Sequence, residues 1–300
     1  MSGALTGQGA ATAAPVKTVL MTPSTQTQGV RVNVDVVYLD DIPKAMDNMG
    51  WKVSAQMMRR WFATKPAWEM PELWREGTNI NYLALPASQV EDQIIKMKWV
   101  MGFDRVVPVF EDLCESWNNA KGLKVLTDRL VAKGWKSGRT MTLGQGIKTA
   151  KELDLSCQVN RRPFGDYIDV FDDLYGAIFK AILKIAVVGK ASRSLFSKRD
   201  LFEVEKIGIY VRDTYDFNAA WFDDAAFGLG IWSTKRMLSK REMIAYRTAQ
   251  LAVVGSLFPS FVPAQNNDFR RWQKQRNEGG DFFVFSDVMW IAPNVEYVHI

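Results

Sequence analysis

Arg212-Asp213-Thr214-Tyr215-Asp216-Phe217-Asn218 sets two carboxyl groups, a phenol and a guanidinium side by side, directly after an alternating apolar run. Carboxyls at this spacing can divide acid and base work or share a cation, and a phenol can orient a substrate. Asp213, Tyr215 and Asp216 are therefore the candidate catalytic residues, with Arg212 beside them to hold an anionic group. A dense polar segment leaving an apolar strand is a common place for a site. Asp and Asn there equally build a turn by bonding to nearby backbone, and that reading stands beside the catalytic one.

A second group of candidates is basic. From Gly189 to Arg276 there are 15 Lys or Arg against nine Asp or Glu, so this half of the chain favours anionic partners. Arg270, Arg271 and Trp272 form its densest cation-plus-aromatic cluster and are the candidate binding residues with Arg212. A solvated basic face is the ordinary role of such a surface, and nucleic acid is not the expected partner. Asp166, Asp169, Asp172 and Asp173 make the third group. Three of them would share a helix face and could hold a divalent cation, the one cofactor these residues suggest. Acidic residues also collect at helix N-termini because the macrodipole favours them there, so no metal site is assigned.

What is missing narrows the chemistry further. The chain has one histidine, His299, next to its last residue, and two cysteines, Cys114 and Cys157. A zinc site of several imidazoles, a Ser-His-Asp triad and a Cys-His dyad would each have to be built on that residue. The cysteines are 43 positions apart, with no C-x-x-C spacing, and read as buried thiols. Phosphate-loop, G-x-S-x-G, S-x-x-K and G-x-G-x-x-G patterns are absent.

The elements that would position these groups follow from periodicity. Residues 1–30, rich in Gly, Ala, Thr, Ser and Gln, read as a flexible tail without a signal peptide. Met46, Met49, Val53, Met57 and Trp61 form one helical stripe after the helix start at Asp40-Asp41-Ile42-Pro43. Further helices are expected over 90–99, 107–117, 123–132, 146–153 and 167–188. After the connector 189–200, strands are expected at 207–211, 227–232, 282–285 and 295–299, with helices over 238–254 and 268–276. The longest uncharged stretch, 248–267, contains Pro259 and Pro263 and is too short in its apolar part to span a bilayer. The expectation is an α+β protein: a mainly helical region over 31–190, then a β-containing region over 191–300 with a small sheet and covering helices, packed as one domain.

Several blocks together resemble a known family. They are Ile42-Pro43-Lys44-Ala45-Met46 through Trp61-Phe62, Asp172-Asp173-Leu174-Tyr175-Gly176-Ala177, Gly208 through Asn218, and Leu229-Gly230-Ile231-Trp232. The last runs from Asn267 to Trp272, with Gly279-Gly280-Asp281-Phe282 and Phe285-Ser286-Asp287. In order and wording they resemble an uncharacterised bacterial family, domain of unknown function 6402, over about residues 35–290. The resemblance implies a type VI secretion context: a protein made in the cytoplasm of the producing cell and delivered to a neighbour, with secretion-system or effector-associated proteins as partners. It carries no catalytic residues. Separately, Asp213-x-Tyr215-Asp216 resembles the opening of the catalytic motif of colicin M-type toxins, which cleave the lipid-linked peptidoglycan precursor. The His-Arg pair that follows in those toxins is replaced here by Ala-Ala-Trp-Phe-Asp-Asp-Ala-Ala over 219–226. The function expected is an antibacterial effector with a site that uses no histidine; an adaptor or other binding protein without catalysis, and a toxin acting on nucleic acid, are the alternatives.

Overall fold

The computed structural model describes residues 35–75, 80–218, 228–251 and 258–300. Along the chain α1 (Ile42–Asn48), α2 (Lys52–Ala63) and α3 (Glu72–Arg75) come first, followed by β1 (Val90–Glu91). Three helices follow, α4 (Met97–Val100), α5 (Val107–Ser116) and α6 (Ala120–Ala132). β2 (Met141–Leu143), α7 (Ala150–Ser156), β3 (Gln158–Phe164) and α8 (Asp173–Ile178) lead into the long pair β4 (Ala181–Arg193) and β5 (Asp200–Tyr215). The chain then forms β6 (Ile231–Trp232), α9 (Lys240–Leu251), β7 (Val262–Pro263) and α10 (Asn266–Arg276). It ends in β8 (Phe282–Phe285), β9 (Met289–Ile291) and β10 (Tyr297–His299).

The β4–β5 hairpin is the frame, paired antiparallel from Ile182↔Arg212 to Arg193↔Asp200. The outer edge of β4 is filled by β3 along its first half and β2 along its second. The outer edge of β5 takes three separate strands, β8, β9 and β10, all antiparallel. β1 closes that side by pairing parallel to β8, which makes eight strands in one sheet. The register slips between Val188 and Gly189, where a Cβ on Gly189 would stand 1.9 Å from the Glu203 carbonyl oxygen. Only glycine lets the two backbones approach that closely.

The central stretches of β4 and β5 are buried on both faces, from Leu183 to Gly189 and from Gly208 to Arg212. Helices cover them, and Trp61, Trp117, Tyr210, Phe202 and Phe269 are fully enclosed. The methionine stripe belongs to this core: Met46, Met57 and Trp61 are buried. It is carried by two helices rather than one, because the chain turns at Gly50 with φ at +81°.

The sheet overturns the expected architecture. The first two thirds of the chain is not a mainly helical layer, since β1 to β4 all lie there, and the sheet is large rather than small. The expected helix over 167–188 exists only as α8; its second half is β4. Ala181-Ile-Leu-Lys-Ile-Ala-Val-Val188 places apolar side chains on both sheet faces, and such a run satisfies helical spacing as well as strand spacing. The expected helix over 90–99 divides into β1 and α4. The expected tail, position 227 of the second strand and positions 252–254 of the helix over 238–254 lie outside the described residues. Val34–Ile300 forms one compact body, and among its described residues no helix is long and apolar enough to cross a membrane.

Candidate functional site

β5 ends by delivering its last four residues alternately to opposite faces of the sheet. β8 fixes their register, with Arg212 opposite Phe285, Asp213 opposite Val284, Thr214 opposite Phe283 and Tyr215 opposite Phe282. Because the period is two, Arg212 and Asp213 cannot face the same side. Asp213, Tyr215 and Asp216 border a cavity of about 300 Å³ that Arg212 does not line.

Eight of the described residues lining the cavity are aromatic. Trp51, at the start of α2, meets Trp232 of β6 edge-on at 6.3 Å. Phe171, Tyr175 and Phe179 continue the wall as a chain of rings, with centroids 4.8 and 4.5 Å apart. α8 holds this chain against α2 through Asp173, whose carboxylate accepts from the Val53 and Ser54 amides at 3.0 and 2.8 Å. Those are orphan donors in the first turn of α2, so one acidic residue satisfies them and joins the two elements.

Asp213 is the chemical centre. It lines the cavity, and burial pushes its pKa up to about 8. The Asp216 carboxylate raises it further, against the Thr214 amide and the Arg212 charge, which lower it. At neutral pH Asp213 therefore keeps its proton and can donate it. Asp216 lies 3.3 Å from Arg75 Nε, and burial, followed by the Asp281 charge, raises its pKa as well. The Tyr215 ring stacks on Phe282 at 5.1 Å with the planes nearly parallel, and burial raises its phenol. An aromatic hollow with an acid at its floor can hold a largely apolar ligand and protonate one polar atom of it.

The other sequence candidates sit elsewhere. Arg212 is buried on the opposite sheet face, over Tyr82 and Phe283 at 5.8 and 5.5 Å, and its Nε and Nη2 have no hydrogen-bond partner. On that face Asp154 accepts from Lys184 Nζ and the Tyr210 hydroxyl, both at 2.7 Å, a buried cluster that no sequence motif marked. Arg270 is buried in α10; it donates to both Asp281 oxygens and, at 2.8 Å, to the Phe217 carbonyl, so it fixes the segment beneath the cavity. Arg271 is exposed, 3.7 Å from Asp268. Trp272 packs on Phe62 and Trp61, with Arg276 over its ring. The structure thus gathers Asp213, Tyr215 and Asp216 and leaves Arg212, Arg271 and Trp272 outside the cavity.

The acidic run is fully engaged. Arg105 holds Asp172 through two 2.6 Å bonds and approaches Asp169 at 3.5 Å, while Asp169 accepts from the Asp166 amide. Among the described residues no three His, Cys, Asp or Glu side chains are grouped to hold a metal ion. The residues missed from sequence are the aromatic walls. Their signal is visible in hindsight: Tyr167, Phe171, Tyr175 and Phe179 recur every fourth position, and all four line the cavity.

A family model described as a family of unknown function (DUF6402) matches residues 37–300. No curated protein and no solved structure matches the chain.

Proposed function

The chain belongs to the family of unknown function DUF6402, and on that premise we propose that the cavity at the end of β5 is the working site of a type VI secretion-associated antibacterial effector. In this reading Asp213 is the proton donor. Burial keeps the proton in place, Asp216 lies beside it and adds to that effect, and Tyr215 is part of the wall that orients the ligand. One observation carries it: a carboxyl whose pKa is pushed up to about 8 lines an aromatic cavity of about 300 Å³. Groups perturbed in this way gather at sites that move protons. The secretion context rests on the sequence resemblance.

The test is expression of the full chain in a bacterial cytoplasm and, separately, in the periplasm, with growth as the readout. Toxicity in one compartment that Asp213→Asn abolishes, with the circular dichroism spectrum retained, supports the proposal. Toxicity that survives the substitution removes Asp213 from the mechanism.

A second reading, an adaptor without catalysis, is favoured by the loop that lines one side of the cavity. There Ile168 and Val170 are 87% and 71% exposed beside Tyr167, an apolar lip suited to a partner's segment. Absence of toxicity in both compartments, together with loss of partner binding on Ile168→Ser, would favour it.

A further inference from the structure

At the end of the β4–β5 hairpin remote from the cavity, the chain exposes two large apolar side chains on a convex tip. Leu195 is 81% and Phe196 is 98% exposed. The tip is well built. The Ser194 amide donates to the Arg199 carbonyl at 2.9 Å and the Lys198 amide to the Ser194 carbonyl at 3.1 Å. The Ser197 amide donates to Ser194 Oγ at 3.1 Å, and Lys198 takes the left-handed conformation that closes the turn. Holding Phe196 in water on an ordered turn is unfavourable unless something else covers it.

Cations surround these two residues. Arg193, Lys198 and Arg199 flank them in the hairpin and are exposed. The loop carrying Lys136 and Arg139 lies against the hairpin base, where the Gly138 amide donates to Asp200 at 2.9 Å. Asp200 is the one carboxylate within that stretch. The Ser137 hydroxyl, then the Gly138 amide and the Arg193 charge, hold its pKa below the usual carboxylate range.

We propose that this tip is a lipid anchor: Leu195 and Phe196 enter the interfacial layer of a bilayer while Arg193, Lys198, Arg199, Lys136 and Arg139 bind anionic phospholipid headgroups. Apolar burial and cation–headgroup attraction are the two contributions that hold a monotopic protein at such a surface, and the tip supplies both. A nucleic-acid backbone would use the cations and leave Leu195 in water. A protein partner would need a cavity shaped for a protruding pair, whereas a bilayer deforms around it. β5 places the tip and Asp213 at its opposite ends, up to about 40 Å apart at about 3.3 Å per residue. The cavity is thus left open when the tip is embedded.

The test is co-sedimentation of the full chain with vesicles of phosphatidylcholine and phosphatidylglycerol in equal parts, against vesicles of phosphatidylcholine alone. Binding is expected to favour the mixed vesicles at least about tenfold and to weaken with added salt. Leu195→Ser with Phe196→Ser should weaken it at least about tenfold, and Lys198→Glu with Arg199→Glu similarly. Leu73→Ser, which removes a 75% exposed leucine far along the chain, should leave it unchanged. All these positions are exposed, so circular dichroism should show the variants folded. Equal binding by the Leu195, Phe196 variant and the parent overturns the anchor, as does absence of binding at low salt. Binding of a DNA duplex that depends on Lys198 and Arg199 but not on Leu195 or Phe196, without vesicle binding, also overturns it and assigns these cations to nucleic acid.

Discussion

Arg270 and Asp281 face each other across α10 and the entry to β8 in a two-pronged contact of 2.9 and 2.7 Å, with Asp281 fully buried. The same carboxylate accepts from the Trp61 indole at 3.0 Å and the Met70 amide at 2.9 Å. Four donors from three segments thus converge on one residue. Arg270→Ala should cost about 3–5 kcal/mol, because it leaves that carboxylate buried without its countercharge. Arg270→Lys should recover part of the loss, having the charge but not the planar fork. Urea unfolding of the three proteins measures both; a loss below about 1 kcal/mol for the alanine variant would show that water replaces the guanidinium.

Asp213 gives the pH dependence. Its ordinary pKa is 3.8 and its folded value is about 8. Between these values the unfolded chain releases the proton and the folded chain keeps it, so Asp213 makes stability fall as pH rises, by up to about 1.4 kcal/mol per pH unit. Below about pH 4 and above about pH 8 its contribution is flat. Asp213→Asn removes the effect. The variant should match the parent near pH 4 and exceed it increasingly up to pH 8, as read by thermal unfolding across that window. Parallel pH profiles for the two proteins would contradict an enclosed Asp213.

Gly176 of α8 sits against α2. A Cβ there would come within 2.6 Å of Ser54 Oγ and 3.1 Å of Trp51 Cε3. Gly176→Ala should therefore cost about 1–3 kcal/mol by overpacking, despite alanine's better helix propensity. The unfolding midpoint measures it; a stabilised variant would mean that α2 and α8 separate freely and the cavity wall is soft.

His299 pairs with Leu201 at the tip end of β5, about 40 Å along the strand from Asp213 at about 3.3 Å per residue. His299→Ala should leave any activity of the cavity unchanged and shift stability by less than about 0.5 kcal/mol. Growth inhibition assays and thermal unfolding check the two halves.

The strands that sequence revealed are those with one distinctive pattern. Ile207, Ile209 and Val211 alternate and mark β5, and Phe282–Phe285, apolar at every position, marks β8 as a strand covered on both faces. β4 has the same two-sided burial but adjoins α8, so its apolar run merged with the helical pattern. Ile182, Ile185, Val187 and Val188 were the available clue, since β-branched side chains fit a pleated sheet better than a helix. At the site, Asp213, Tyr215 and Asp216 were legible because they fall within four consecutive positions. Trp51 and Trp232 were not, because their meeting depends on α2 and β6 converging from distant parts of the chain. Arg212 lies away from the cavity because one step along a strand turns a side chain to the other face.

The sheet order β1-β8-β5 also constrains when the protein can exist during its own synthesis. β1 leaves the ribosome near residue 90, yet its neighbour β8 arrives only at residues 282–285. Trp61 likewise awaits Asp281 as its hydrogen-bond acceptor. Until residues 282–299 emerge, the β5 edge lacks its covering strands β8, β9 and β10. Such a nascent chain carries an unpaired β5 edge for most of its translation, and unpaired strand edges are what aggregate.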